Sequence, residues 1–181
     1  ANAQTGTGKT AAFALPILQK LSDQSKELNN AQVRAVILTP TRELAQQLLE
    51  TISRYNKYLG LRILSVYGGT TLDTQKKKLR NGTDILIATP GRLLEHITAC
   101  NVNLAQTEFV VLDEADRMLD MGFVSDVMTI LEKSAKKRQT MLFSATLSSA
   151  VHTLSRQILT SHETISAAKA NITADTVDHV V

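Results

Sequence analysis

Short apolar runs rich in β-branched residues recur along the chain at residues 33–38, 61–67, 84–88, 109–112, 140–143 and 164–166, with helical patterns between them. This alternation predicts a parallel sheet. Between the first two runs, Leu44, Leu48, Ile52, Tyr55 and Leu59 recur on one side of a predicted helix. Arg42, Glu43, Gln46, Gln47 and Glu50 fall elsewhere, so the helix is expected to lie on the sheet. Runs such as Ala35-Val36-Ile37-Leu38 and Phe109-Val110-Val111-Leu112 show no polar alternation, so helices must cover both faces. The expected fold class is a doubly wound α/β domain, with a mostly parallel sheet. No internal repeat and no Pro- or Gly-rich interior linker interrupts the pattern. Residues 1–170 therefore read as one domain, and residues 171–181 as the start of a linker.

The candidate chemistry begins with Ala3-Gln4-Thr5-Gly6-Thr7-Gly8-Lys9-Thr10, which fits the phosphate-loop pattern except that Ala3 stands where the strictest version has Gly. Gly6 and Gly8 let the backbone turn its amides toward an anion, and the predicted helix 10–21 adds its positive N-terminal end. Lys9 is placed to reach the β- and γ-phosphates of a nucleotide, and the Thr10 hydroxyl to coordinate magnesium. Gln4, Thr5 and Thr7 complete the nucleotide-binding set. A Gly-rich turn can simply join a strand to a helix, but GxGKT followed by an apolar helix is much more specific than GxG.

A second signal is the apolar strand 109–112 running into Asp113-Glu114-Ala115-Asp116. Carboxylates at the carboxyl end of a buried strand lie where ligands bind in open α/β sheets, on the edge expected for the phosphate loop. Asp113 and Glu114 repel each other when both are ionised, which a divalent cation would relieve.

Composition narrows the class without naming it. The 181 residues are 43% hydrophobic and 20% charged, within the soluble globular range. The apolar stretch 11–18 is broken by Pro16 and falls short of the ~18 residues of a membrane-spanning helix. Net charge is only +3, so charge alone would not suggest a nucleic-acid partner. One cysteine, Cys100, cannot form an internal disulfide, which points to a reducing compartment, the cytoplasm by default. His96, His152, His162 and His179 lack zinc-ligand spacing.

Three further segments, Pro40-Thr41-Arg42-Glu43-Leu44-Ala45, Gly68-Gly69 and Thr89-Pro90-Gly91-Arg92, each follow a strand run and so share one sheet edge. Ser144-Ala145-Thr146 follows another. With the phosphate loop and the Asp-Glu-Ala-Asp letters, these signatures stand in the order of the DEAD-box ATP-dependent RNA helicases of superfamily 2. The chain resembles the N-terminal, RecA-like domain of that family over essentially its whole length. Asp120-Met121-Gly122-Phe123 is similar to bacterial-type members.

The resemblance implies ATP and magnesium as ligands, with Asp113 on the metal and Glu114 polarising the attacking water. It implies RNA held through backbone contacts by Pro40, Thr41, Arg42, Gly68, Gly69, Thr89, Pro90, Gly91 and Arg92, with little sequence preference. It also implies that Asp116, Ser144 and Thr146 couple nucleotide state to RNA grip, whereas Ser148 reads as a plain helix cap. The chain opens inside a motif, so the family's upstream glutamine motif is expected before Ala1. The second RecA-like domain, with its arginine fingers, is expected beyond Val181, and an isolated half is expected to be weak or inactive as an ATPase. Two rivals remain open: a non-catalytic nucleotide- or RNA-binding module, and a DNA-directed helicase or other phosphate-loop ATPase.

Overall fold

In the computed structural model, which describes residue 1, residues 8–23 and residues 32–166, the apolar runs become five short strands. They are β1 Ala35–Leu38, β2 Ile63–Val66, β3 Ile85–Ala88, β4 Phe109–Leu112 and β5 Gln139–Leu142. All pair in parallel, in the order β2-β3-β1-β4-β5.

The three central strands β1, β3 and β4 are buried at every position, and residue parity sorts their side chains between two cores. Ala35, Ile37, Ile85, Ile87, Phe109 and Val111 pack with Phe13, Ile17 and Leu21 of α1 (Lys9–Asp23) and with Leu48 and Ile52 of α2 (Arg42–Tyr55). Val36, Leu38, Leu86, Ala88, Val110 and Leu112 face the other way. Their neighbours are Leu79 of α3 (Leu72–Leu79), Leu93 of α4 (Pro90–Thr98), Met118 of α5 (Ala115–Asp120), Ile130 of α6 (Val124–Lys133) and Leu154 of α7 (Ser149–Ile158). Burying each larger aliphatic side chain contributes roughly 1.5–3 kcal/mol. A polar residue at either parity would therefore damage one core or the other, which is why these runs lack alternation.

Leu38 stands opposite both Ala88 and Leu112, Val66 opposite Ala88, and Leu142 opposite Leu112. The strands thus end level, and the segments that follow them leave from one edge.

Two expectations are corrected. Residues 164–166 form no strand; only Ser166 takes part in an isolated bridge. The predicted stripe on α2 holds at Leu48 and Ile52 but not at its ends: the third buried position is Ala45, with Leu49 partly buried beside it. Tyr55 and Leu59 are 39% and 40% exposed. The helix stops at Tyr55 because Asn56 caps it and ties the following turn, its Nδ2 donating to the Leu61 carbonyl at 2.7 Å and its Oδ1 accepting from the Leu61 amide. Leu59 therefore lies beyond the helix. The expected linker at residues 171–181 lies outside the described residues.

Candidate nucleotide site and adjoining edge surface

Gly8 has φ +85, a conformation that favours glycine, and α1 starts immediately after it, so Lys9 and Thr10 occupy the first turn. They line a cavity of about 250 Å³ together with Gly8, Asp113 and Glu114. Leu44 and Tyr55 of α2 form part of its wall, which is where these two positions of the predicted stripe go. Residues remote in sequence therefore meet in one place. Gln4, Thr5, Gly6 and Thr7 lie outside the described residues.

Lys9 Nζ is buried and has no hydrogen-bond partner among the described residues. A buried ammonium without a partner is costly, so the site calls for an anion. Asp113 continues β4 past its last residue, its amide donating to the Leu38 carbonyl at 2.9 Å. Its carboxyl is pushed up to about 6, first by burial and further by Glu114, against the opposing pull of Lys9. Such a carboxyl gains from a cation. The demands at Lys9 and Asp113 together fit a metal-bound polyphosphate.

Glu114 has φ 54 and ψ 51, left-handed for a residue with a side chain, and it is the N-cap of α5. Such conformations cost on the order of 1–3 kcal/mol and cluster at functional sites. The turn is held by the Glu114 amide donating to Asp113 Oδ1 at 3.1 Å. It is also held by the Ala115 amide donating to the Phe143 carbonyl at 3.0 Å. Glu114 Oε2 pairs with Arg117 Nη1 at 3.0 Å.

Asp116 Oδ2 accepts from the Thr146 hydroxyl at 2.9 Å and the Thr146 amide at 3.0 Å. Burial would raise the Asp116 carboxyl, but the Thr146 hydroxyl and the Arg117 amide outweigh it and hold the group below its ordinary range. Ser144 sits beside this pair: its hydroxyl donates to the Thr146 carbonyl at 2.7 Å, and it adds, after the Thr146 hydroxyl and the Arg117 amide, to holding the Asp116 carboxyl down. Ser148 caps α7, accepting from the Val151 amide at 3.3 Å.

The remaining motif loops converge on residues 67–70. Arg42 lies over the Tyr67 ring, 5.3 Å from its centroid. Gly69, with φ +85, approaches Arg42 so closely that a Cβ there would come within 3.2 Å of its Nη1. Arg92 meets the same loop from the other side, Nη1 donating to the Thr70 carbonyl at 2.7 Å. Its side chain is only 11% exposed and also pairs with Glu95 at 3.1 Å. Arg92 is therefore committed largely to the protein. Thr41 and Thr89 occupy the N-cap positions of α2 and α4, with Pro90 in the first turn of the second, so both helices begin at this edge. Gly68 lies beside Gly69 at the turn. Gly91 sits in the first turn of α4, a Cβ built there lying 3.7 Å from Asp126 Oδ2.

Sequence reasoning missed three residues here: Tyr67, Gln75 and His96. Gln75 carried a signal, since it interrupts the apolar spacing Leu72, Gln75, Leu79 on α3 with a polar group that the structure buries. His96 carried none.

A parallel doubly wound sheet, with a lysine after a glycine turn facing strand-end acids, defines a RecA-like fold. The chain belongs to the DEAD/DEAH box helicase family, whose model matches residues 1–154. It is 42% identical over 97% of its length to the DEAD-box ATP-dependent RNA helicase CshA of Streptococcus pneumoniae, of which it covers 33%. It is 46% identical over 87% of its length to the ATP-dependent RNA helicase DeaD of Mycobacterium tuberculosis, covering 27%. The chain thus spans a third or less of these relatives. Among solved structures, a yeast DEAD-box splicing factor superposes with a TM-score of 0.83 at 36% identity, covering 88% of this chain and 38% of that one. A hypothetical ATP-dependent RNA helicase from Sulfolobus tokodaii gives 0.80 at 38% identity, covering 92% and 46%. Among the described residues, no helix is long and apolar enough to cross a membrane.

Proposed function

We propose that the protein carrying this chain is an ATP-dependent RNA helicase that hydrolyses ATP with magnesium and locally separates short RNA duplexes in the cytoplasm, this chain being the ATP-binding half. The observation that carries the reading is the meeting of Lys9, Thr10, Asp113 and Glu114 around one cavity in which the Lys9 ammonium lacks a partner among the described residues.

Lys9 holds the β- and γ-phosphates at the N-terminal end of α1, and the phosphate-loop pattern of Gln4 to Gly8 assigns those residues to the same anion. Thr10 and Asp113 would hold magnesium, which would supply neutralisation of phosphate charge. Among the described residues no cluster of three His, Cys, Asp or Glu is arranged for a metal. Magnesium, however, is commonly held by one or two carboxylates together with substrate phosphates, so a Thr-Asp pair suits it. Glu114 orients and polarises the attacking water. For that, its ion pair with Arg117 must be shared or opened.

RNA lies across the edge formed by Pro40, Thr41, Arg42, Gly68, Gly69, Thr89, Pro90, Gly91 and Arg92, read through its sugar-phosphate backbone. A second RecA-like domain of the same protein closes over both ligands and supplies arginine to the transition state, an effect worth about 10³ to 10⁵ in rate in related phosphoryl transfer. Asp116 and Thr146, with Ser144 behind them, carry the state of the nucleotide site to the loop after β5.

The test is ATP hydrolysis by the whole protein with and without RNA. RNA-stimulated hydrolysis that is lost in Lys9→Ala supports the proposal. RNA binding without hydrolysis would instead return the chain to a non-catalytic binding module.

A further inference from the structure

Beneath the loop between β2 and α3 lies a closed polar network outside the nucleotide site. Gln75 on α3 is 5% exposed, and its amide uses all of its bonding capacity. Nε2 donates to the Tyr67 carbonyl at 2.9 Å and to Thr70 Oγ1 at 2.6 Å. Oε1 accepts from Arg92 Nη1 at 3.2 Å and lies 3.0 Å from His96 Nε2.

Arg92 can only donate, which fixes the orientation of the Gln75 amide. His96 Nε2 must then carry a proton, leaving Nδ1 to accept from Asn101 Nδ2 at 3.2 Å. His96 is fully buried, and burial followed by the nearby Arg92 charge lowers its pKa, as a neutral ring with one acceptor nitrogen requires. Tyr67 and Thr70 bracket Gly68-Gly69, while Arg92 belongs to the turn that opens α4. One buried amide therefore ties both ends of the glycine loop to the neighbouring motif.

We propose that Gln75, oriented by His96, is a positioning residue that holds the loop 67–70 and the Arg92 turn in the single arrangement that grips RNA. Gln75 does not touch RNA; it acts through the Gly68-Gly69 backbone. This inference rests on the reading of these loops as the RNA surface. A buried amide deprived of half its partners strains whatever remains bonded, and here the remaining partners are the loops themselves.

The test uses the whole protein carrying this chain, with a fluorescein-labelled oligouridylate and a fluorescent ATP analogue as probes. Gln75→Glu keeps the shape and the acceptor facing Arg92 and His96, but loses both donations to the glycine loop. Gln75→Leu loses every bond. Both are expected to weaken RNA binding by about fivefold or more. Affinity for the ATP analogue should stay within about twofold. The RNA concentration for half-maximal ATPase stimulation should rise while the rate at saturating RNA holds.

Thr70→Val, a milder change that removes one hydroxyl partner, should move RNA affinity the same way by about twofold to threefold. It decides the matter if the Gln75 variants do not fold. Unchanged RNA affinity, or equal losses of RNA and nucleotide affinity, would overturn the positioning role. Arg42→Ala is measured alongside. If it binds RNA like the unaltered protein, the RNA-surface reading itself fails. If it weakens binding while folded Gln75 variants, or Thr70→Val, do not, only the positioning role fails.

Discussion

The Thr146 hydroxyl and the Asp116 carboxylate meet at 2.9 Å, joining the loop after β5 to the acidic turn after β4. Thr146 adds its backbone amide to the same oxygen at 3.0 Å, so the carboxylate holds a backbone segment as well as a side chain. On the proposed coupling, a displacement of the acidic turn passes to that loop through these two bonds. Thr146→Val removes the hydroxyl bond and leaves the nucleotide cavity untouched. RNA-stimulated ATP hydrolysis should stay within a few-fold of normal while duplex separated per ATP falls about tenfold, the size of an ordinary coupling energy. A steady-state ATPase assay run beside a strand-displacement assay checks this, and parallel losses in both would defeat it.

Glu114→Gln keeps the shape of the side chain and removes its basicity. The rate of hydrolysis by the whole protein should fall by about a hundredfold or more, with ATP-analogue affinity retained. An unaltered rate would take Glu114 out of the reaction.

Asp113 makes stability depend on pH through its raised carboxyl. The native group titrates at about 6, against an ordinary value of 3.8, so between these values the folded chain binds the proton more tightly than the unfolded one. The stability this contributes is complete below the ordinary value and is lost as pH rises through about 6. Asp113→Asn should therefore stabilise the ligand-free protein at neutral pH by on the order of 2 kcal/mol, with the gain shrinking as pH falls toward the ordinary carboxylate value. Urea unfolding at neutral and mildly acidic pH measures it. A gain independent of pH would contradict the assignment.

The proposed RNA surface predicts a salt signature. If Arg42 meets a phosphate, the affinity of the whole protein for single-stranded RNA should fall with added salt, and Arg42→Ala should reduce the slope of log affinity against log salt by about one. Fluorescence anisotropy across a salt series reads this directly. An unchanged slope would confine Arg42 to its stack on Tyr67.

Away from both surfaces, Arg34 is 2% exposed, with Nε 2.7 Å from Glu108 Oε1 and Nη1 donating to the Leu21 carbonyl at 2.9 Å. Glu108→Ala leaves that guanidinium buried without its carboxylate and should destabilise the protein by about 2–4 kcal/mol. Chemical denaturation tests it, and a loss well under 1 kcal/mol would mean that solvent replaces the carboxylate.

Much of the site was legible before the fold because its chemistry is local. A glycine turn ahead of Lys9 and Thr10, and two acids ending an apolar strand, each need neighbouring residues only, and the sheet class follows from runs too apolar for one-sided burial. The failures were of extent and of pairing. The stripe on α2 was read rightly at Leu48 and Ile52 but wrongly at its ends, because Leu44 and Tyr55 are apolar for the cavity and Ala45 is too small to stand out. The run 164–166 resembles a strand in composition, but composition cannot supply a partner along its edge.

The sequence by itself determined the doubly wound class, the order of the motifs and the identity of the charged groups, since these depend on side-chain type, spacing and strand polarity. Only the tertiary structure decided that Lys9 is left without a partner among the described residues, that burial raises the Asp113 carboxyl, that Arg92 turns inward, and that Gln75 and His96 lie beneath the glycine loop. Each of those depends on how much water is excluded and which atoms are brought within a few ångströms across the fold, quantities that packing sets and that no local pattern of residues encodes.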